Sequence, residues 1–278
     1  AYEIRTRLVG SEMCIRDTAT LTDMFSSADL MLSNLGFSST PTSADFHRTI
    51  FTDRNSLDAA ITAWIADEAA ATATYGDINT WDVRAITDFS GLFQNKATFN
   101  SDISNWNVSS GTNFYGMFYE ADSFNKDIGS WNVGSGNNFY GMFYGANSFN
   151  QDIGSWDVSS GTNFGGMFAN AEAFNQDIGS WDVGSGNNFN MMFYEADAFE
   201  QYISNWQVRD TATLTDMFNS ADLMLSNLGF SSTPTSTDFN LTSRFTDRSS
   251  LNTAINAWID DDTAATATYG NINNWDVS

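Results

Sequence analysis

The sequence predicts an α/β repeat fold: a leucine-rich-repeat-like solenoid of 25-residue coils with short parallel strands, plus helical cap segments. Three observations carry this. Trp81, Trp106, Trp131, Trp156, Trp181 and Trp206 each follow the last by 25 residues. Other apolar columns keep the step, among them Phe99, Phe124, Phe149, Phe174 and Phe199, and Ile103, Ile128, Ile153, Ile178 and Ile203. A longer segment, Thr18 to Trp81, recurs as Thr211 to Trp275, at an offset of 193 residues that becomes 194 after an insertion near Phe245.

Within one unit, Phe149 to Ile153 reads as a short strand, apolar alternating with polar. Gly154-Ser155 turns the chain, and Trp156 and Val158 point inward. Phe164, Met167, Phe168 and Ala171, spaced three and four apart, suggest one or two helical turns. Strands stacked at about 4.7–4.9 Å would turn each apolar column into a buried ladder, since no single unit covers its own apolar face. Preceding the array, Leu57, Ala60, Ile61, Trp64 and Ile65 form the stripe of an amphipathic helix, copied as Leu251, Ala254, Ile255, Trp258 and Ile259. Ser249 or Ser250 is the expected cap of the second copy.

The domain reading follows. Residues 1–17 resemble a translated sequencing adapter, and 2–15 are set aside from fold reasoning, while Arg16-Asp17 matches Arg209-Asp210 ahead of the second copy. Residues 18–45 end a preceding array and its linker, 46–77 form an N-terminal cap, 78–222 the solenoid, 223–240 a closing edge and linker, and 241–278 the cap of a further module. Repetition at this scale leads us to expect a longer tandem polypeptide.

Composition narrows the function classes. Asp plus Glu number 34 against 11 Lys plus Arg, a net charge of −23, which disfavours nucleic acid and anionic membranes as partners. The charge suits solubility in salty surroundings, where it is screened beyond about 8–10 Å. No apolar run reaches the roughly 20 residues that span a bilayer. One cysteine, Cys14, allows no intrachain disulfide. His47 is the sole histidine, so no Cys–His or Ser–His–Asp set can be built without it, and no enzyme is expected.

The motif Phe149-Asn150-Gln151-Asp152-Ile153, Trp156-Asp157-Val158-Ser159 and Met167-Phe168 resembles the 26-residue repeat of bacterial surface proteins, found in BspA-like proteins and mycoplasma lipoproteins. The resemblance covers roughly residues 78–222. It implies a leucine-rich-repeat-like fold, a cell-surface or secreted location, often adhesion, and no catalytic residues. The chain departs from the family with Gly111, Gly136, Gly161 and Gly186 where valine is usual, and with Phe114, Phe139, Phe164 and Phe189 where methionine is common. That predicts a looser or differently packed bend.

Several columns are candidate sites. Asp102, Asp127, Asp152 and Asp177 would stack as a carboxylate ladder. It is either a row of calcium sites, calcium being the one cofactor considered, or a set of hydrogen-bond acceptors serving a neighbouring coil's backbone or a Trp indole. Two asparagine columns, Asn100, Asn125, Asn150 and Asn175, and Asn113, Asn138, Asn163 and Asn188, read as structural ties between coils. Trp106, Trp131, Trp156 and Trp181 read as a structural ladder in the core. Asn240 and Asn107 stand in glycosylation sequons. The expected function is an extracellular structural or adhesive repeat protein, partnered end to end with itself or with neighbouring modules. The alternative is a cell-surface ectodomain recognising protein or glycan on a concave face.

Overall fold

The computed structural model describes residues 3–8, 11–16, 49–227, 229–239, 248–269 and 272, with the backbone alone at 3–8, 11–16 and 266–269. Asn240, His47 and the segment 18–45 lie outside them. β1 (Glu3–Leu8) pairs antiparallel with β2 (Ser11–Arg16) in a hairpin outside the repeated coils. The chain divides into two compact units, one of residues 1–86 with 105–110, the other of 87–104 with 111–278.

The first unit is built on α1 (Arg54–Ala66) and α2 (Glu68–Tyr75). Asp53 caps α1, its carboxylate accepting from the Ser56 N–H at 2.9 Å. The apolar stripe Leu57, Ala60, Ile61 and Trp64 is buried. Trp64 meets Trp81 edge-on at 5.8 Å, and Phe51 and Tyr75 complete a ring cluster on Trp81. A single parallel bridge, Ile50 with Asp82, ties the entering chain to this floor. Trp106 stacks on Trp81 at 6.4 Å, so the helical cap and the first coil share one aromatic core.

In the second unit, successive coils repeat one bonding scheme, and it is not a strand ladder. The parallel strands expected from the sequence are not there: among the described residues of the coils, strand-type pairing is confined to isolated bridges at Asp88, Asn113, Asn138, Asn163, Asn188 and Thr213. The predicted leucine-rich-repeat-like class with parallel strands is therefore corrected to coils of turns. The reason lies in where the backbone N–H groups point. At the expected strand Phe149–Ile153, the Asn150 N–H donates to the side-chain Oδ1 of Asn125 in the coil before, 3.0 Å away. A side chain thus takes the bond that a backbone ladder needs.

The expected helical turns around Asn163–Ala171 are also replaced. The N–H groups of Phe164, Gly166, Phe168 and Asn170 donate to carbonyls of the next coil at 2.7–2.9 Å, while those of Met167, Ala169 and Ala171 close turns onto residues three back. Alternate amides thus serve the stack and the turn. The ribbon needs two left-handed residues per coil, such as Gly116 (φ 55°) and Glu120 (φ 52°), which an α-helix excludes.

The core between coils is aromatic. Rings of Phe93, Phe118, Phe143, Phe168, Phe193 and Phe218 stack at 5.4–5.7 Å. Those of Phe89, Phe114, Phe139, Phe164 and Phe189 stack at 5.4–5.6 Å. The departures from the family pattern meet here: the Phe139, Phe164 and Phe189 rings lie against the glycines three residues before them. The bend is packed differently, and it is not looser.

The stack ends on residues 221–239. α3 (Asp222–Asn227) leaves the last coil, and the following segment folds back over its open edge. The Ser232 carbonyl accepts from the Phe218 N–H at 3.0 Å, the bond a further coil would otherwise make. Phe230 covers Phe218 at 4.9 Å, and Phe239 stacks on Trp206 at 6.5 Å, where the next tryptophan of the column would lie. α4 (Arg248–Asp260) and α5 (Asp262–Tyr269) copy the helical pair of the first unit. Ser249 and Ser250 lie inside α4 rather than capping it, as Asn55 and Ser56 lie inside α1.

Candidate functional site

The repeated surface of the coils is where the candidate residues gather. Asp102, Asp127, Asp152 and Asp177 are exposed. Each closes a turn in its own coil, its Oδ1 accepting a backbone N–H two residues on at 2.9 Å. These donors belong neither to a neighbouring coil nor to an indole. Among the described residues no group of three His, Cys, Asp or Glu side chains comes together to hold a metal ion.

The indoles point elsewhere. Trp131, Trp156 and Trp181 donate from Nε1 to the carbonyls of Ile103, Ile128 and Ile153 in the coil before, at 3.0–3.2 Å. Trp106 does the same to Ile78 at 2.8 Å. All four rings are buried, and Trp131, Trp156 and Trp181 each lie tilted against a phenylalanine, Trp156 against Phe143 at 6.2 Å.

The asparagine columns join coil to coil. Oδ1 of Asn100, Asn125, Asn150 and Asn175 accepts the backbone N–H of the residue 25 ahead at 2.9–3.1 Å. Gln151, Gln176 and Gln201 donate to the same oxygens of Asn125, Asn150 and Asn175 at 2.7–2.8 Å. In the second column Asn138 Nδ2 donates to Asn113 Oδ1 at 3.1 Å, and Asn188 to Asn163 at 2.8 Å. Asn107 is exposed, and its Oδ1 accepts from the Ser109 N–H at 3.1 Å.

Two features escape a reading of the apolar columns. The paired left-handed positions are one; glycine occupies only some of them, Met191 (φ 57°) and Asp216 (φ 53°) being exceptions. The other is a tyrosine patch on two adjacent coils, Tyr115 with Tyr140 and Tyr119 with Tyr144, whose shared 25-residue step was the available signal.

No helix among the described residues is long and apolar enough to cross a membrane. Coils that repeat one backbone bonding scheme at a fixed period define a tandem-repeat protein. The chain belongs to the family described as Mycoplasma protein of unknown function, DUF285, whose model matches residues 65–171 and 137–232. No curated protein and no solved structure matches the chain significantly.

Proposed function

We propose that the chain is an extracellular structural or adhesive element, part of a longer tandem fibre or stalk. The observation that carries this reading is the reuse of one bonding scheme in every coil. The apolar and asparagine columns hold nearly constant residues, and the position after the first asparagine varies only mildly: Gln151, Gln176 and Gln201 match and each bonds the coil before, while Ser101 and Lys126 differ. A surface made to discriminate ligands diversifies such positions; a surface made for length repeats them. The resemblance to BspA-like bacterial surface proteins supports the extracellular side. A net charge of −23 opposes lateral clumping of like modules. Negative-stain imaging of native material tests the proposal. Elongated particles longer than one module are expected; single compact particles of one module's size overturn it.

A further inference from the structure

The coil-to-coil ring stacks of the second unit keep a spacing of 5.4–6.4 Å, with one departure. Tyr119 and Tyr144 stack at 4.5 Å with ring planes 3° apart, the tightest pair of rings 25 residues apart among the described residues. A glycine lies beneath each ring. The Tyr119 ring lies 3.5 Å from where a β-carbon on Gly141 would stand, and the Tyr144 ring 3.8 Å from the same point on Gly166, so each phenol lies over a residue with no side chain. Both rings are half-buried: solvent reaches them, and the neighbouring coils hold them parallel. Glu120 follows Tyr119 with φ 52°, fixing the chain at its base.

From this geometry we infer that Tyr119 and Tyr144 are a site of oxidative cross-linking, which joins two neighbouring coils by a carbon–carbon bond between the phenols. The inference rests on the extracellular structural reading, because a one-electron oxidant of the peroxidase class, driven by hydrogen peroxide, is its co-reactant. Each phenol gives up one electron and one proton to become a phenoxyl radical. The two radicals couple through ring carbons ortho to the oxygens, and the two ortho hydrogens move to the oxygens, restoring both phenols. Two phenols and one peroxide thus become one biphenol and two waters. The rings begin parallel, so the new bond requires them to twist, and the bare Gly141 and Gly166 beneath leave that freedom. The cross-link fastens residues 25 apart in sequence and adjacent in space. It therefore stiffens the stack without joining one chain to another.

The test uses the full chain treated with peroxidase and hydrogen peroxide. The expected result is dityrosine fluorescence, a mass lower by two hydrogens, monomeric migration on a denaturing gel, and a cross-linked peptide holding Tyr119 and Tyr144. Tyr119→Phe and Tyr144→Phe keep the ring stack and are each expected to remove most of the fluorescence. Tyr115→Phe and Tyr140→Phe, in the more exposed pair 5.4 Å apart, are expected to leave it. Dityrosine that survives Tyr119→Phe, that maps to Tyr115 and Tyr140, or that forms only between chains overturns the inference, as does its absence. Chemistry read on isolated chains is independent of fibre length. Compact native particles with intact cross-linking would defeat the fibre reading alone, and elongated particles without it would defeat the site alone.

Discussion

Gly161 lies directly beneath the ring of Phe164: a β-carbon added to Gly161 would stand 2.3 Å from Phe164 Cζ and 2.9 Å from the Val158 carbonyl oxygen. The pairing recurs at Gly136 with Phe139 and Gly186 with Phe189. The large ring in one column and the missing side chain in the other are one packing solution, which explains why the chain departs from its family at both together.

The first prediction follows from this. Gly161→Ala overpacks the bend and is expected to destabilise the protein by about 1–3 kcal/mol. Phe164→Met, made together with it, should recover part of that loss. The remainder persists because the Val158 oxygen is still too close. Chemical denaturation of the single and double variants, read as a thermodynamic cycle, checks it; strictly additive losses would contradict the coupling.

Trp156→Ala removes a ring that is 4 % exposed and the indole bond to the Ile128 carbonyl. We expect a loss of about 3–5 kcal/mol. Trp156→Phe keeps part of the packing and should cost less. A loss under roughly 1 kcal/mol for the alanine variant, far below what cavity formation requires, would show that the ring carries little of the core.

Asn150 accepts from the Asn175 N–H at 2.9 Å and from Gln176 Nε2 at 2.8 Å. Asn150→Ala leaves that N–H without its acceptor, an expected loss of about 1–3 kcal/mol. Gln176→Ala removes only the second, replaceable donor and should cost less. Hydrogen exchange reads the difference directly: protection of the Asn175 amide should fall in Asn150→Ala and persist in Gln176→Ala.

The Asp157 carboxyl is held below its ordinary range first by the Ser159 hydroxyl, at 2.6 Å, and second by the Ser159 backbone N–H, at 3.0 Å. A depressed folded value means that its stabilising contribution is complete above the unfolded value. The contribution is lost as pH falls through the lower folded one. The effect is small because the group faces solvent. Ser159→Ala should raise the Asp157 titration midpoint toward the ordinary carboxylate value, followed by carbon-detected NMR. An unchanged midpoint would show that the hydroxyl is not the cause.

The period was legible in the sequence because packing enforces it. Trp156 can donate to the Ile128 carbonyl only if 28 residues separate them, and its neighbours only if they keep the same interval. The conformation within a period was not legible. Phe164, Met167, Phe168 and Ala171 have helical spacing, yet the left-handed Gly166 and Asn170 break any helix. A ribbon that turns every few residues puts apolar groups at the same intervals, and periodicity cannot separate the two. The expected strand failed for a different reason. Asn125 ties coil to coil, but its oxygen takes the Asn150 backbone N–H as well as the Gln151 amide, and the backbone bond displaces the ladder. Asp152 showed the same limit: its column was visible, but its partner, the Gly154 N–H, is local to the turn.

The alternation of amides has a consequence for how such a chain can change length. Half of each ribbon's N–H groups look forward to the next turn of the stack and half look back within their own. Any coil can therefore be followed by any other, provided the frame of 25 is kept. Removing one whole repeat rejoins identical donors to identical acceptors, whereas removing a fraction of one misaligns every partner at the seam. Copy number is thus nearly neutral for folding while phase is not, and lengthening or shortening by whole repeats is the one large edit this architecture absorbs without redesign.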